Sequence, residues 1–186
     1  GGTDILAEIA VDVLRFSENR GKGYALIEGF RAALGDPDVS CVLTLDADGQ
    51  HDPREIPGML KTFWEQDADL VIGARSFDRK HVPWASRIGN RLTRILTGVL
   101  FGVRLSDTQS GFRVHSRRLV EHIVQSVDGG RYETEMTIVL MAARGGYKMV
   151  SHPIATIYEP GNRSSHFRKV RDSWRVWRAL FLGLWR

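Results

Sequence analysis

The chain has 186 residues, of which 42% are hydrophobic and 26% charged, which fits one folded domain and excludes a disordered chain. Cys41 is the only cysteine, which excludes a disulfide scaffold and a zinc site built on cysteines. No apolar run reaches the roughly 18–20 residues that a spanning helix needs, and the first residues have no signal-peptide layout, so we expect an intracellular location.

Most of the positive charge lies near the C-terminus. The formal net charge of the chain is +4, yet residues 160–186 alone contain seven Lys or Arg residues and one acidic residue, Asp172. This excess indicates an anionic partner, which could be a phosphate, an acidic lipid or a nucleic acid.

The predicted elements of the first half alternate between helix and strand. Apolar spacing predicts a helix over residues 5–16, and a loop at 19–23 separates it from a second helix over about 24–34. Residues 39–45 predict a buried strand that ends in polar residues. A helix follows from Asp52-Pro53 to about residue 65, and residues 68–73 predict another buried strand. This alternation predicts an α/β fold with a mostly parallel sheet flanked by helices.

The second half continues with a long predicted helix over residues 84–101. A strand over 108–115, helices over 117–125 and 132–144, and a strand over 148–158 follow. Pro153 lies within the last strand and therefore places it at a sheet edge or a bulge. Residues 167–185 predict a helix that carries tryptophans among its arginines. Because a parallel α/β sheet normally opens with a strand, either an earlier strand is missing or the sheet begins late.

The sequence Asp46-Ala47-Asp48-Gly49-Gln50 follows the first predicted strand directly. Two buried carboxylates so close together need a partner, because each unpaired ion would cost several kcal/mol. Carboxylate oxygens suit Mg²⁺ or Mn²⁺, with the Gln50 amide oxygen within reach. The alternative is a turn whose aspartates cap the next helix. We favour a metal bound by Asp46, Asp48 and Gln50.

These residues resemble the nucleotide-sugar and metal motif of family 2 glycosyltransferases, in the polyprenyl-phosphate branch of the dolichol-phosphate mannose synthase type. Further blocks occur in the same order as in that family and cover nearly the whole chain. The blocks are residues 19–25, 43–53, 71–75, 106–113, 131–136 and 161–165. The resemblance implies a GT-A fold and a hexosyltransferase that uses a UDP- or GDP-sugar.

The resemblance also implies a truncated N-terminus. Gly1-Gly2-Thr3-Asp4 resembles the end of a family block that follows the second strand, so the opening strand and its motif are expected to be missing. We expect residues 1–165 to form a partial catalytic domain and residues 166–186 a basic amphipathic helix.

By this resemblance, Asp46, Asp48 and Gln50 hold the metal on the donor diphosphate, where it neutralises the charge that develops on the leaving group. Arg75 and Arg87 match arginines that face the acceptor phosphate; a surface ion pair is the alternative for both. Asp107 and Gln109 match residues that line the acceptor side. Lys22 matches a residue that could contact the phosphates or the base of the nucleotide. Arg163 lies in a segment that resembles a substrate-closing loop, where it would contact phosphate.

The acids Glu133 and Glu135 raise a mechanistic alternative. Transfer to a hydroxyl needs a carboxylate base, whereas a polyprenyl phosphate is already ionised. Two acids near a helix start also interact favourably with the helix dipole. The predicted catalytic residues are Asp48, Arg87 and Glu135. His51 is expected to be an exposed bystander, and Asp107 could instead cap a turn.

The expected function is metal-dependent, inverting transfer of a hexose to a membrane polyprenyl phosphate. The tryptophan- and arginine-rich helix at the C-terminus fits either an interfacial helix on anionic lipid, which implies a peripheral place on the cytoplasmic membrane face, or a helix packed on the core. The alternatives are a saccharide acceptor, an inactive sugar-nucleotide-binding remnant, and a basic nucleic-acid binder. The last is disfavoured because no nucleic-acid motif occurs.

Overall fold

The computed structural model describes residues 11–75, 98, 102, 105–108, 110–131 and 133–155. Its helices are α1 (Lys22–Leu34), α2 (Ile56–Glu65), α3 (Arg117–Ser126) and α4 (Glu133–Arg144). Its strands are β1 (Cys41–Thr44), β2 (Leu70–Arg75), β3 (Arg113–Ser116) and β4 (Met149–Ile154). A short 3₁₀ turn, Pro53–Glu55, leads into α2.

The four strands form one mixed sheet in the order β1-β3-β2-β4. β3 pairs antiparallel with both β1 and β2, while β4 pairs parallel with β2. β1, β2 and β4 therefore run in one direction and β3 runs against them. Pro153 lies in β4 at one end of this sheet, as expected of a residue that cannot donate a ladder hydrogen bond.

Helices cover both faces of the sheet. On one face, Leu70 and Ile72 of β2 pack with side chains of α1, α3 and α4, including Phe30, Ile123 and Ile138. On the other face, residues of β2, β3 and β4 pack against α2 in the cluster of Met59, Phe63, Val71, Phe112, Val114 and Ile154. Successive residues of β2 thus point to opposite faces, which is why this strand is apolar without interruption.

Most predicted elements lie where the sequence placed them. The strand predicted over 108–115 is shorter, because the residues before Arg113 form a loop whose carbonyl groups accept hydrogen bonds from the Arg113 side chain. The helix predicted over 5–16 is wrong for residues 11–16, which form no helix; Val13 and Phe16 are 40% exposed. Apolar spacing misled here because these side chains do not enter the core.

Two predicted elements fall outside the described residues. They are the helix over 84–101, apart from residue 98, and the helix over 167–185. Within the described part of the chain, no helix combines the length and apolarity needed to cross a bilayer.

Candidate active site

The Asp46 carboxylate lies just beyond the carboxyl end of β1 and faces two basic side chains. Its Oδ1 atom is 2.7 Å from Lys22 Nζ, and its Oδ2 atom is 3.8 Å from His51 Nε2. Burial raises the pKa of Asp46, but the neighbouring His51 and Lys22 outweigh this effect and hold the pKa well below its usual range. Asp46 is therefore ionised at neutral pH.

A glycine gives the Asp46 carboxylate its place. Gly111 belongs to the loop before β3, which we define as residues 105–108 and 110–112. A Cβ atom at Gly111 would lie 2.7 Å from Asp46 Cγ, so any larger residue would push the carboxylate away. Thr44 Oγ1 donates a hydrogen bond of 3.0 Å to the Gly111 carbonyl. The end of β1 is thus fastened to the loop that accommodates Asp46.

Lys22 joins Asp46 to α4. Lys22 is the first residue of α1, and its Nζ atom lies 2.7 Å from Asp46 Oδ1 and 3.1 Å from Glu135 Oε1. Burial lowers the pKa of Lys22, but the carboxylates of Glu135 and Asp46 outweigh it and raise the pKa overall. One ammonium group therefore holds two carboxylates that come from different elements.

Close packing at glycines brings α1 and α4 together. A Cβ atom at Gly23 would lie 2.6 Å from Thr134 Cβ and 2.8 Å from the Arg131 carbonyl oxygen. The Tyr24 amide donates a hydrogen bond of 3.2 Å to the Gly130 carbonyl. Gly21, which precedes α1, has a φ of +100°, a conformation that favours glycine. This contact sets the distance between Lys22 and Glu135.

Asp48 lies in a tight turn after β1. Its Oδ1 atom accepts a hydrogen bond of 3.1 Å from the backbone N–H of Gln50, and Gly49 has a φ of +77°. The cap of the following 3₁₀ turn is Asp52, whose side chain accepts from the Arg54 amide. The described contacts therefore do not assign helix capping to Asp46 or Asp48, which was the alternative to a metal.

Arg75 and Asp107 form a largely buried ion pair beyond the carboxyl end of β2. Arg75 Nε is 2.6 Å from Asp107 Oδ2, and Arg75 Nη2 is 3.3 Å from Oδ1. The Asp107 side chain is fully buried and that of Arg75 is 21% exposed. Asp107 thus holds the arginine, and the pair is largely buried, unlike the surface pair that the alternative for Arg75 assumed.

Several buried polar atoms of this region have no hydrogen-bond partner among the described residues. They are His51 Nδ1, Thr108 Oγ1, Glu133 Oε2 and Thr134 Oγ1. An unsatisfied buried polar group costs about 1–3 kcal/mol, so its presence needs a reason such as a ligand site. The expectation that His51 is exposed is wrong, since its side chain is only 4% exposed and its ring packs edge-on against Phe112.

Arg113 is a residue of this site for which the sequence analysis predicted no role. Its guanidinium is fully buried and donates to the carbonyls of Thr108, Ser110 and Glu135. The sequence did show an arginine at the end of the family-like block of residues 106–113. It could not show that the side chain of this arginine points inward.

The oxygen donors at the end of β1 fit a divalent cation of a particular kind. Asp46, Asp48 and Gln50 offer the hard oxygens that Mg²⁺ and Mn²⁺ prefer. In the part of the chain that is described, no three or more acidic, histidine or cysteine side chains are arranged to hold a metal on their own. A cation that takes one or two carboxylates and completes its shell with water and substrate phosphate suits the chemistry of these oxygen donors.

The described residues bring together five of the predicted site residues, namely Lys22, Asp46, Arg75, Asp107 and Glu135, around Arg113. The carboxylates of Glu135, Asp107 and Asp46 act to raise the pKa of Arg113, and the positive charge of Arg75 acts to lower it. These charges therefore lie close enough to influence the Arg113 guanidinium. Asp48 and Gln50 lie in the turn beside them. Arg87, Gln109 and Arg163 fall outside the described residues.

The fold and this site define an α/β protein with a charged ligand site at the carboxyl ends of its strands. The model of the family described as glycosyl transferase family 2 matches residues 3–124. This match covers more than half of the chain, which therefore belongs to glycosyl transferase family 2, as the sequence motifs predicted.

Curated relatives agree with this assignment. The uncharacterized protein MJ1222 of Methanocaldococcus jannaschii is 35% identical over 85% of this chain and 68% of its own length. The UDP-N-acetylglucosamine–dolichyl-phosphate N-acetylglucosaminyltransferase of Methanococcus voltae is 28% identical over 80% of this chain and 60% of its own length. The polyprenol monophosphomannose synthase of Mycolicibacterium smegmatis is 29% identical over 77% of this chain and 55% of its own length.

A solved structure confirms the GT-A fold. The glucosyl-3-phosphoglycerate synthase of Mycobacterium tuberculosis matches 96% of this chain and 58% of its own, with a TM-score of 0.61 and 18% identity. Another crystal structure of that enzyme, with a TM-score of 0.57, contains Mn²⁺ and UDP-glucose. The chain thus spans between about half and two thirds of the length of these proteins.

Proposed function

We propose that this chain is the part of a hexosyltransferase that binds a UDP- or GDP-sugar through Mg²⁺ or Mn²⁺ and transfers the hexose, with inversion, to a polyprenyl phosphate. The observation that carries the proposal is the ionised Asp46 carboxylate, held by Lys22 at the end of β1 and followed directly by the Asp48–Gln50 turn. One relative is named for a dolichyl-phosphate acceptor and another for a polyprenol monophosphomannose product, and both names support the acceptor class.

On the donor side, Asp46, Asp48 and Gln50 would hold the cation, which when bound neutralises negative charge on the departing nucleoside diphosphate. Lys22 has two roles in this proposal. Its contacts with Asp46 and Glu135 orient both carboxylates, and its ammonium group adds positive charge beside an anionic donor.

On the acceptor side, Asp107 holds Arg75 in a fixed orientation beyond β2, as suits an arginine that recognises phosphate oxygens. We keep Arg87 and Arg163 as further phosphate-binding candidates. A phosphate oxygen of the acceptor would attack the anomeric carbon while the bond to the nucleoside diphosphate breaks. No proton has to be removed, so Glu135 can remain bound to Lys22 throughout.

Donor binding is the first test. Isothermal titration of the purified chain with UDP-glucose, UDP-N-acetylglucosamine and GDP-mannose should show binding with Mn²⁺ that EDTA abolishes. Asp48→Ala should weaken this binding at least about tenfold, as expected when a charged ligand contact is lost. Asp38→Ala makes the same change at an exposed turn and serves as the control. Unchanged affinity of Asp48→Ala, with or without chelator, contradicts the proposal.

Acceptor class is tested by sugar transfer to undecaprenyl phosphate compared with transfer to saccharides. At saturating donor, Glu133→Gln and Glu135→Gln should both retain turnover with the phosphate, because an ionised acceptor needs no base, even though loss of the Glu135 charge beside Lys22 should weaken donor binding. Loss of turnover in one of them, together with transfer to a saccharide, would favour a hydroxyl acceptor and a glutamate base. Binding of the nucleotide-sugar without any turnover would favour the inactive remnant.

We also propose that residues 166–186 form a basic helix on an anionic membrane surface, on the basis of their tryptophans and arginines alone. Co-sedimentation with phosphatidylglycerol vesicles should be strong and should fall with added salt. Equal sedimentation with uncharged phosphatidylcholine vesicles would contradict this interfacial role.

A further inference from the structure

The Arg113 guanidinium connects two separate segments of the chain. From the first residue of β3, Nε donates to the Ser110 carbonyl at 2.7 Å and Nη2 to the Thr108 carbonyl at 3.0 Å, both in the loop before β3. Nη1 donates to the Glu135 carbonyl at 2.9 Å, in the first turn of α4. The residue is 1% exposed, so the guanidinium cannot contact a substrate.

The two segments that Arg113 connects carry the acids of the candidate site. The loop before β3 contributes Asp107 and also Gly111, against which the Asp46 carboxylate lies. α4 contributes Glu135. Any shift of the loop relative to α4 would therefore change the spacing of all three carboxylates.

Charge balance points the same way. Complete burial lowers the pKa of Arg113, and the carboxylates of Glu135, Asp107 and Asp46 oppose that effect. The cluster thus contains three cations, Lys22, Arg75 and Arg113, and three carboxylates. A buried cation is tolerated only when charges and hydrogen bonds surround it, and three carbonyl groups accept hydrogen bonds from Arg113 here.

We propose that Arg113 is a positioning residue that clamps the loop before β3 to the first turn of α4, and thereby fixes Asp46, Asp107 and Glu135 in one array. What this array binds rests on the function proposed above, whereas the clamp itself does not. Arginine is required because its planar fork donates in three directions at once, and a lysine ammonium at one point cannot reach both segments in the same way.

Arg117 provides a matched control within the chain. Its Nη1 atom also donates to three main-chain carbonyls, those of Asp36, Pro37 and Val39, at 2.9–3.2 Å. These carbonyls belong to the turn between α1 and β1, which carries none of the three carboxylates. Arg117→Lys therefore makes the same substitution at a carbonyl-binding arginine, but outside the candidate site and where a single nitrogen makes all three contacts.

Hydrogen exchange of the ligand-free protein tests the clamp. Arg113→Lys should speed exchange of the amides in the loop before β3 at least about tenfold, the effect of losing one or two charge-assisted hydrogen bonds. Arg117→Lys should leave those amides unchanged. Wild-type exchange rates throughout that loop in Arg113→Lys would overturn the proposal.

A measurement on the wild-type protein covers the case in which Arg113→Lys does not fold. At low denaturant, protected amides of the loop and of the second turn of α4, whose acceptors lie in its first turn, should open with the same free energy, because the clamp makes them one cooperative unit. Distinct opening energies for the two segments would overturn the proposal.

Donor titration with Mn²⁺ and the nucleotide-sugar, well below the melting temperature, then separates positioning from general stability. Arg113→Lys should weaken binding about tenfold or more, and Arg117→Lys should stay within about twofold of wild type. Equal affinity of Arg113→Lys and wild type would overturn the positioning role. Wild-type protein that binds no nucleotide-sugar would refute the proposed function instead, and the exchange data would still decide the clamp.

Discussion

Gly23 and Gly29 lie on the same helix in different surroundings, so replacing each with alanine gives a matched pair. At Gly29 no atom lies within 4 Å of the position that a Cβ would take. Gly29→Ala should therefore stabilise the protein by about 0.8–1 kcal/mol, the difference in helix propensity between the two residues. At Gly23 the new Cβ would lie 2.6 Å from Thr134 Cβ and 2.8 Å from the Arg131 carbonyl oxygen.

Gly23→Ala should destabilise the protein, because rotation of the Thr134 side chain moves neither its Cβ nor the Arg131 carbonyl. α1 and α4 would have to move apart, and overpacking of this kind typically costs about 1–3 kcal/mol. The two variants should therefore differ by about 2–4 kcal/mol in free energy of unfolding, measured by urea titration. Equal stability of the two would refute the packing argument.

The same separation should displace Lys22 from Glu135, since the glycine contact sets their distance. Gly23→Ala should accordingly weaken nucleotide-sugar binding, while Gly29→Ala should bind like wild type.

Three further outcomes are expected. Burial lowers the pKa of His115 to about 3, against 6.5 in an unfolded chain, so only the unfolded state gains a proton between these values. The free energy of unfolding should therefore fall as pH drops from about 6.5 to 3, by up to about 1.4 kcal/mol per pH unit. When the free energy of unfolding from urea titration is plotted against pH, the slope in this range should be smaller by that amount in His115→Gln. Equal slopes for the variant and wild type would contradict this. Gly111→Ala should abolish donor binding by titration yet cost under about 1 kcal/mol of stability, because the atoms it meets belong to the movable Asp46 side chain; retained affinity would show that the carboxylate position is unimportant. Asp107→Asn should cost up to about 3 kcal/mol in urea unfolding, since it removes the charge of a buried partner of Arg75; wild-type stability would mean that the pair does not hold Arg75.

Local signals in the sequence sufficed for most of the secondary structure. Apolar spacing located α1, α3 and α4, and a proline at a first turn marked the start of the α2 region. The polar residues at the carboxyl ends of β1 and β2 indicated Asp46 and Arg75 as site residues, because strands that run in one direction end at the same edge of a sheet. The family motifs added the expected role of each residue.

The direction of β3 could not be read from the sequence. A strand of four residues carries no directional signal, and only pairing with β1 and β2 shows that it runs against them. The inward orientation of Arg113 follows from this placement, since it puts the guanidinium between the loop before β3 and α4. Apolar spacing likewise could not show that residues 11–16 stay exposed, because burial depends on a partner surface.

The sequence by itself determined which residue types are available for binding a charged ligand, and on which elements they lie. Tertiary structure alone decided that Lys22 lies between Asp46 and Glu135, two residues that are 89 positions apart in the chain. The physical reason is that this meeting depends on close contact at Gly23 and Gly111, where the absence of a side chain matters only once another segment is packed against it.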